Sequence, residues 1–268
     1  MSSSAPAATL RPAITEIHTF ATDSTEPVKI TVAAYDRART FLLLHGGGGV
    51  DTMTPFADLL AERTHSQVLV PTHPGFGGTP KASGLTDVTT LAKTYVALLD
   101  RLDLTNVTVI GNSFGGWLAA EIALQSSPRV SGAVIIDGIG IEVEGHPMAD
   151  VRGKSTAEIR ALSWHDPNKA PTPPDGGPGP SPDVAALIGY TGPAMTDPTL
   201  ATRLSTIDLP IHVIWGESDR MVAPDYGKAY AAAIPGATFT LLPHTGHLPQ
   251  LETPNQLLTA IPGLDLPN

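Results

Sequence analysis

Val109-Ile110-Gly111-Asn112-Ser113-Phe114-Gly115-Gly116 reads as the end of an apolar strand, a glycine-framed serine and the first turn of a helix. The strand occupies residues 107–110, and the helix, with the small residues Ala119, Ala120 and Ala123, is expected over residues 114–127. A serine on a strand-to-helix corner is held in a cramped backbone conformation. Its neighbours Gly111 and Gly115 leave the room that such a corner needs. The corner lifts the Ser113 hydroxyl above the sheet edge. It also sets the backbone N–H of Phe114 at the positive end of a helix, where a developing negative charge can be held.

Working outward, short apolar runs at residues 41–44, 68–70, 130–136, 211–215 and 237–242 read as further strands. Most are too continuously apolar for one wet face, so they suit a sheet covered on both sides. Residues 14–21 and 28–36, with Pro27 at the boundary, predict an antiparallel pair that opens the sheet. Helices are expected over 54–64, 87–102, 225–234 and from about residue 254. In the second of these, Val88, Leu91, Tyr95, Leu98, Leu99 and Leu102 form one stripe. This alternation predicts an α/β chain with a mostly parallel, eight-stranded sheet and helices on both faces. The rhythm breaks over residues 139–206. There the pattern predicts no strand, only short helices near 155–162, 183–188 and 198–204, and a tract over 165–182 dense in Pro and Gly.

The 268 residues are 41% hydrophobic, enough for one well-buried core. A formal net charge of −10 disfavours nucleic acid as a partner. With no cysteine in the chain, disulfides, thiolate catalysis and cysteine-held metals are excluded. The nine histidines show no ligand spacing, so neither a metal nor another cofactor is expected. Residues 1–11 lack the basic start and apolar run of a signal peptide, and no apolar run reaches the roughly 18 residues of a membrane span. A cytoplasmic protein acting on a small molecule, without nucleic-acid or membrane partners, is the expectation.

The Gly-x-Ser-x-Gly corner, with its preceding strand and following helix, resembles the nucleophile elbow of the α/β-hydrolase family. The resemblance extends over residues 14–260. In that family the loop after the strand ending at Leu44 donates a second oxyanion N–H. His45-Gly46-Gly47-Gly48-Gly49 lies there, which makes Gly47 the implied donor beside Phe114, with Gly48 as second choice. His45 is expected to hold this loop. Pro71-Thr72-His73-Pro74-Gly75-Phe76-Gly77-Gly78-Thr79 is similar to the family's Asp-x-Pro-Gly-x-Gly-x-Ser turn, with Thr72 in place of the Asp and Thr79 in place of the Ser. The turn should still form, with His73 a surface or turn residue.

By the same resemblance, residues 139–206 would be a lid inserted after the sixth strand, between core segments 1–138 and 207–268. Met148, Leu162, Trp164 and Tyr190 are its candidate pocket residues. The family's acid follows the next strand in a Gly-x-x-Asp-x-x-x-Pro pattern. Asp219 fits it, with Pro224 one position late. Asp137 also ends a strand, where some members place their acid. His247, in a Gly-His pair followed by Leu248, is the implied base, and His244 stands nearby as an alternative. The order Ser113, Asp219, His247 is that of α/β-hydrolases.

A serine at the elbow disfavours the epoxide hydrolase and haloalkane dehalogenase chemistries of this fold, which use an aspartate there. The resemblance implies a carboxylic ester hydrolase with an acyl-serine intermediate, with lactones or thioesters as variants. Asn112 and the His-Gly-Gly-Gly loop also resemble carbon–carbon bond hydrolases of the meta-cleavage-product type, which usually carry Trp where this chain has Leu248. A perhydrolase-like activity and a triad-retaining ligand receptor are the remaining readings.

Overall fold

The apolar runs become strands because their side chains alternate between two dry faces. In a computed structural model, which describes residues 13–20, 27–34, 40–151, 153–171 and 182–264, Phe41 and Leu43 enter one core while Leu42 and Leu44 enter the other. The strands are β1 (Ala13–Phe20), β2 (Pro27–Ala34), β3 (Thr40–Leu44), β4 (Gln67–Thr72), β5 (Val107–Asn112), β6 (Val130–Ile136), β7 (Ile211–Gly216) and β8 (Thr238–Leu242). They form one sheet of eight strands in the order β1-β2-β4-β3-β5-β6-β7-β8. β2 is antiparallel to β1 and β4, and β3 to β8 pair in parallel.

The helices are α1 (Thr54–Thr64), α2 (Val88–Arg101), α3 (Phe114–Leu124), then α4 (Thr156–Ser163), α5 (Pro182–Thr191) and α6 (Leu200–Leu204), and finally α7 (Pro224–Ala232), α8 (Pro249–Glu252) and α9 (Pro254–Ala260). α1 and α9 pack on one face with Phe56, Leu60, Leu257 and Leu258. α2, α3 and α7 pack on the other with Leu91, Tyr95, Trp117, Leu118 and Tyr230. α2 starts at Asp87, whose side chain accepts from Thr90 N–H while the Thr90 hydroxyl accepts from Asp87 N–H. That reciprocal cap satisfies two N-terminal donors. Residues 114–123 of α3 are all buried, which explains its lack of a polar face.

From β3 the chain moves outward to β4, then returns to place β5 on the other side of β3. At such a switch point the loops after the two neighbouring strands diverge, and a crevice opens at their carboxyl ends. The loops after β3 and β5 are 45–49 and the Ser113 corner.

The expected elements are present, with ends shifted by a few residues. The connection between β6 and β7 carries α4 to α6 and one isolated bridge, Gly140 with Thr196. Residues 1–11, and the part of the Pro/Gly-dense tract at 172–181, lie outside the described residues. Among the described residues, no helix is long and apolar enough to cross a membrane.

Candidate active site

Ser113 is the strained residue that the glycine pattern requires, with φ 56° and ψ −115°. A positive φ at a residue with a Cβ costs on the order of 1–3 kcal/mol and persists only where the surroundings impose it. Here they do. Ser113 N–H donates to Ile136 O at the end of β6 (2.9 Å), and Ser113 O accepts from Gly116, Trp117 and Ile139 N–H. The glycines supply close approach and have no positive φ of their own. A Cβ on Gly111 would stand 1.9 Å from Gly115 O, and one on Gly115 would stand 2.1 Å from Leu44 O. The elbow is thus wedged against the end of β3, beside the glycine loop.

The histidine arrives from the loop after β8. His247 N–H donates to Ser163 O at the end of α4 (2.7 Å), and His247 O accepts from Asn112 Nδ2 (3.0 Å). Asn112 Oδ1 in turn accepts from Gln250 Nε2 (3.0 Å). The residue before Ser113 is therefore tied directly to the backbone of His247. The His247 ring is almost fully buried, and its Nδ1 lies 2.7 Å from Asp219 Oδ2. The other Asp219 oxygen accepts from Met221 and Val222 N–H at 2.8 and 3.0 Å. A carboxylate on Nδ1 makes that nitrogen the donor and leaves Nε2 as the basic one. Ser113 Oγ itself makes no hydrogen bond among the described residues.

His244 is exposed, and its ring packs beside His165 at 5.2 Å, away from this arrangement. Asp137 belongs to it in another way. It is fully buried, and one of its oxygens accepts from Gly216 N–H at 2.8 Å. Single ligand atoms of Asp137, Asp219 and His247 lie within 4.8 Å of one another. Burial first, and the neighbouring Asp219 second, push the Asp137 carboxyl well above the usual carboxylate range. Its second oxygen has no donor to accept from; protonated, that oxygen becomes a donor itself. Asp137 therefore stands behind Asp219 as a carboxyl whose proton is favoured by burial.

The glycine loop lies directly over the corner: a Cβ on Gly46 would come 3.1 Å from the Cβ of Ser113. The N–H groups of Gly47, Gly48 and Phe114 make no backbone hydrogen bond among the described residues. α5 covers this loop. A Cβ on Gly47 would meet Leu187 Cδ2 at 2.9 Å, and Asp183 Oδ1 accepts from Gly77 N–H at 2.8 Å. Tyr190 donates its hydroxyl to Pro74 O (2.9 Å), stacks on Phe114 at 5.9 Å, and carries the Lys81 ammonium over its ring at 3.6 Å.

The four candidate pocket residues thus separate. Tyr190 adjoins the elbow. Leu162 and Trp164 flank Ser163 and accept through their carbonyls from Arg220, so they brace the Asp219 and His247 loops. Met148 lines a separate cavity of about 570 Å³ with Ile139, Ile141 and Met195. Thr79 substitutes well for the usual serine, donating to Phe76 O at 2.7 Å and accepting from Gly75 N–H.

One expectation holds only in part. His73 does open a turn, its carbonyl accepting from Phe76 N–H at 2.9 Å, but it is not at the surface; it is fully buried against His45. The Pro-Gly neighbourhood reads as an exposed turn, but the turn folds inward and sets His73 between β3 and α2. Asn112 and Gln250, which link the elbow to His247, also escape residue-by-residue reading. The signal for them is the need of any buried amide for several partners.

The geometry can be placed among known proteins. A 106-residue segment is 32% identical to the 2-hydroxy-6-oxo-2,4-heptadienoate hydrolase of Pseudomonas putida, and the match spans 38% of each chain. An esterase from Thermogutta terrifontis superposes with a TM-score of 0.68 at 20% identity, covering 92% of this chain and 96% of that one. A meta-cleavage product hydrolase from Pseudomonas fluorescens gives 0.65 at 16% identity, with coverages of 87% and 92%. At these identities the two structures speak for the fold alone. The model of the alpha/beta hydrolase family matches residues 41–260. That span holds the glycine loop, the elbow and both the Asp219 and His247 loops, and the chain belongs to the alpha/beta hydrolase family.

Proposed function

We propose that this chain is a serine hydrolase of small carboxylic esters, with Ser113 as nucleophile, His247 as base and Asp219 as acid. The observation that carries the reading is the Asp219–His247 bond of 2.7 Å, held next to the elbow by Asn112. His247 Nε2 takes the Ser113 proton as Oγ attacks the ester carbonyl. The oxyanion is received by the N–H groups of Phe114 and Gly47, each contributing roughly 3 kcal/mol to lowering the barrier. Collapse of the intermediate breaks the ester C–O bond, and the alcohol leaves with the proton from His247. Water then repeats the sequence on the acyl-Ser113 bond and releases the acid. Asp219 holds the imidazole in the required tautomer and stabilises its cation.

Residues 139–206 act as a lid in this reading. α5 closes over the glycine loop through Leu187 and over Phe114 of the elbow through Tyr190, so the substrate reaches Ser113 by displacing or skirting that helix. Carbon–carbon bond hydrolysis is the second reading. The identity shared with the heptadienoate hydrolase favours it, and Leu248 in place of the usual Trp speaks against it.

A panel of p-nitrophenyl esters of graded acyl length, a lactone and a meta-cleavage dienoate separates the two. The ester reading expects kcat/KM for the best ester to exceed that for the dienoate by at least about tenfold, with the activity lost in Ser113→Ala. A dienoate preferred over every ester overturns it in favour of the second reading. Stoichiometric labelling of Ser113 without release makes the chain a receptor.

A further inference from the structure

Below the glycine loop lie two buried histidines whose rings meet at a 33° tilt with centroids 3.8 Å apart. Their hydrogen bonds leave one protonation pattern. His73 N–H donates to His45 Nε2 at 3.1 Å, so that nitrogen is bare. In a neutral ring the proton is then on Nδ1, which donates to Gly46 O at 2.8 Å. His73 Nε2 faces His45 O at 3.0 Å. A carbonyl only accepts, so Nε2 carries the proton and His73 Nδ1 is bare. It accepts from the Tyr95 hydroxyl at 2.6 Å.

The surroundings keep both rings uncharged. Burial brings His45 down to about 4 and His73 well below its ordinary value, the latter helped by the neighbouring His45. Burial also raises Tyr95, so its hydroxyl keeps the proton that it donates. Phe76 and Phe114 close the remaining sides, at 5.0 Å from His45 and 5.6 Å from His73 respectively. Asp183 on α5 is the charged group that acts on His45.

The consequence is geometric. Gly46 O is held twice, by His45 Nδ1–H and by Gly49 N–H at 3.2 Å. The Gly46–Gly47 peptide is trans, so its N–H points opposite to its C=O. Fixing Gly46 O toward His45 therefore turns Gly47 N–H away from the histidines. We propose that His73 is a positioning residue for this site: its backbone N–H keeps His45 in the Nδ1–H tautomer, its ring, itself oriented by the Tyr95 hydroxyl, holds His45 O through Nε2–H, and His45 thereby aims Gly47 N–H at the space over Ser113. This rests on the Ser113 esterase reading, in which Gly47 is an oxyanion donor. Thr72 stands where an Asp is usual, and the buried ring of His73 braces the two loops from the neighbouring position.

The test joins a spectroscopic and a kinetic arm. In protein labelled with 15N-histidine, His45 and His73 should each show one protonated and one bare ring nitrogen, as Nδ1–H and Nε2–H tautomers respectively, unchanged between pH 8 and 5.5. Tyr95→Phe, which removes only the hydroxyl, should loosen this pattern and lower kcat for the best ester about tenfold or more at unchanged KM. His73→Gln should lower kcat further. If His73→Gln does not fold, Tyr95→Phe and the wild-type spectra decide. Charged or exchanging tautomers in the wild type, or a disturbed His73 ring with wild-type kcat, would overturn the proposal. Failure of the esterase reading is recognised separately, as ester turnover that survives in Ser113→Ala whatever the tautomers are.

Discussion

Acid should unfold this protein through His45. Its ring is neutral in the native state down to about pH 4, because burial outweighs the bond to Gly46 O and the attraction of Asp183. In the unfolded chain the same ring takes up a proton near 6.5. Between those values the unfolded state binds more protons, so stability is fully present above pH 6.5 and is lost as pH falls toward 4. A fall from 6.5 to about 4, at 1.36 kcal/mol per pH unit, is worth about 3 kcal/mol, of which about 2 kcal/mol is lost by pH 5. His73 is lowered as well and acts with the same sign. Urea unfolding followed by circular dichroism from pH 8 to 5 measures the loss. The carboxylates that titrate in the same range are common to the wild type and to His45→Gln, so the comparison isolates the ring. The variant should start less stable and lose about 2 kcal/mol less between pH 7 and 5. Parallel stability curves for the two proteins would refute the reasoning.

Three further outcomes follow from the packing and the site. Gly115→Ala places a methyl 2.1 Å from Leu44 O, so it should destabilise the fold by about 3 kcal/mol or more, read as a fall in the urea midpoint. Asp219→Asn should lower kcat on the order of 10³- to 10⁴-fold, while Asp137→Asn, which keeps an oxygen to accept from Gly216 N–H and does not touch the imidazole bond of Asp219, should change it only a few-fold. The reverse ranking would make Asp137 the acid. His247→Ala should abolish ester turnover and His244→Ala should leave it near wild type, since only His247 touches Asp219.

The parts legible in the sequence are those with a local period or a local steric demand. Runs such as Phe41 to Leu44 can be buried on both faces only as interior strands, and Gly111 and Gly115 flank a corner that excludes any Cβ. The order of the Asp219 and His247 motifs after Ser113 also survives translation into space, because each follows a parallel strand whose carboxyl end faces the same crevice. What is not legible depends on contacts between distant segments. Nothing periodic connects Leu187 with Gly47 or Tyr190 with Pro74, so the docking of α5 has no sequence signal. His73 is misplaced from sequence because Pro and Gly neighbours mark turns without saying which way a turn faces. Tyr95 holds the missing hint: on the buried stripe of α2 its hydroxyl requires a partner, and a strand-end histidine pair is available to supply one.

At the centre of the proposed function stands a hydroxyl at the elbow, Ser113 Oγ, as the nucleophile. Steady-state turnover of the best p-nitrophenyl ester by Ser113→Ala, with its circular dichroism spectrum and urea midpoint matching the wild type, measures this most directly. The expected result is a loss of at least about three orders of magnitude. Turnover within a few-fold of the wild type would contradict it.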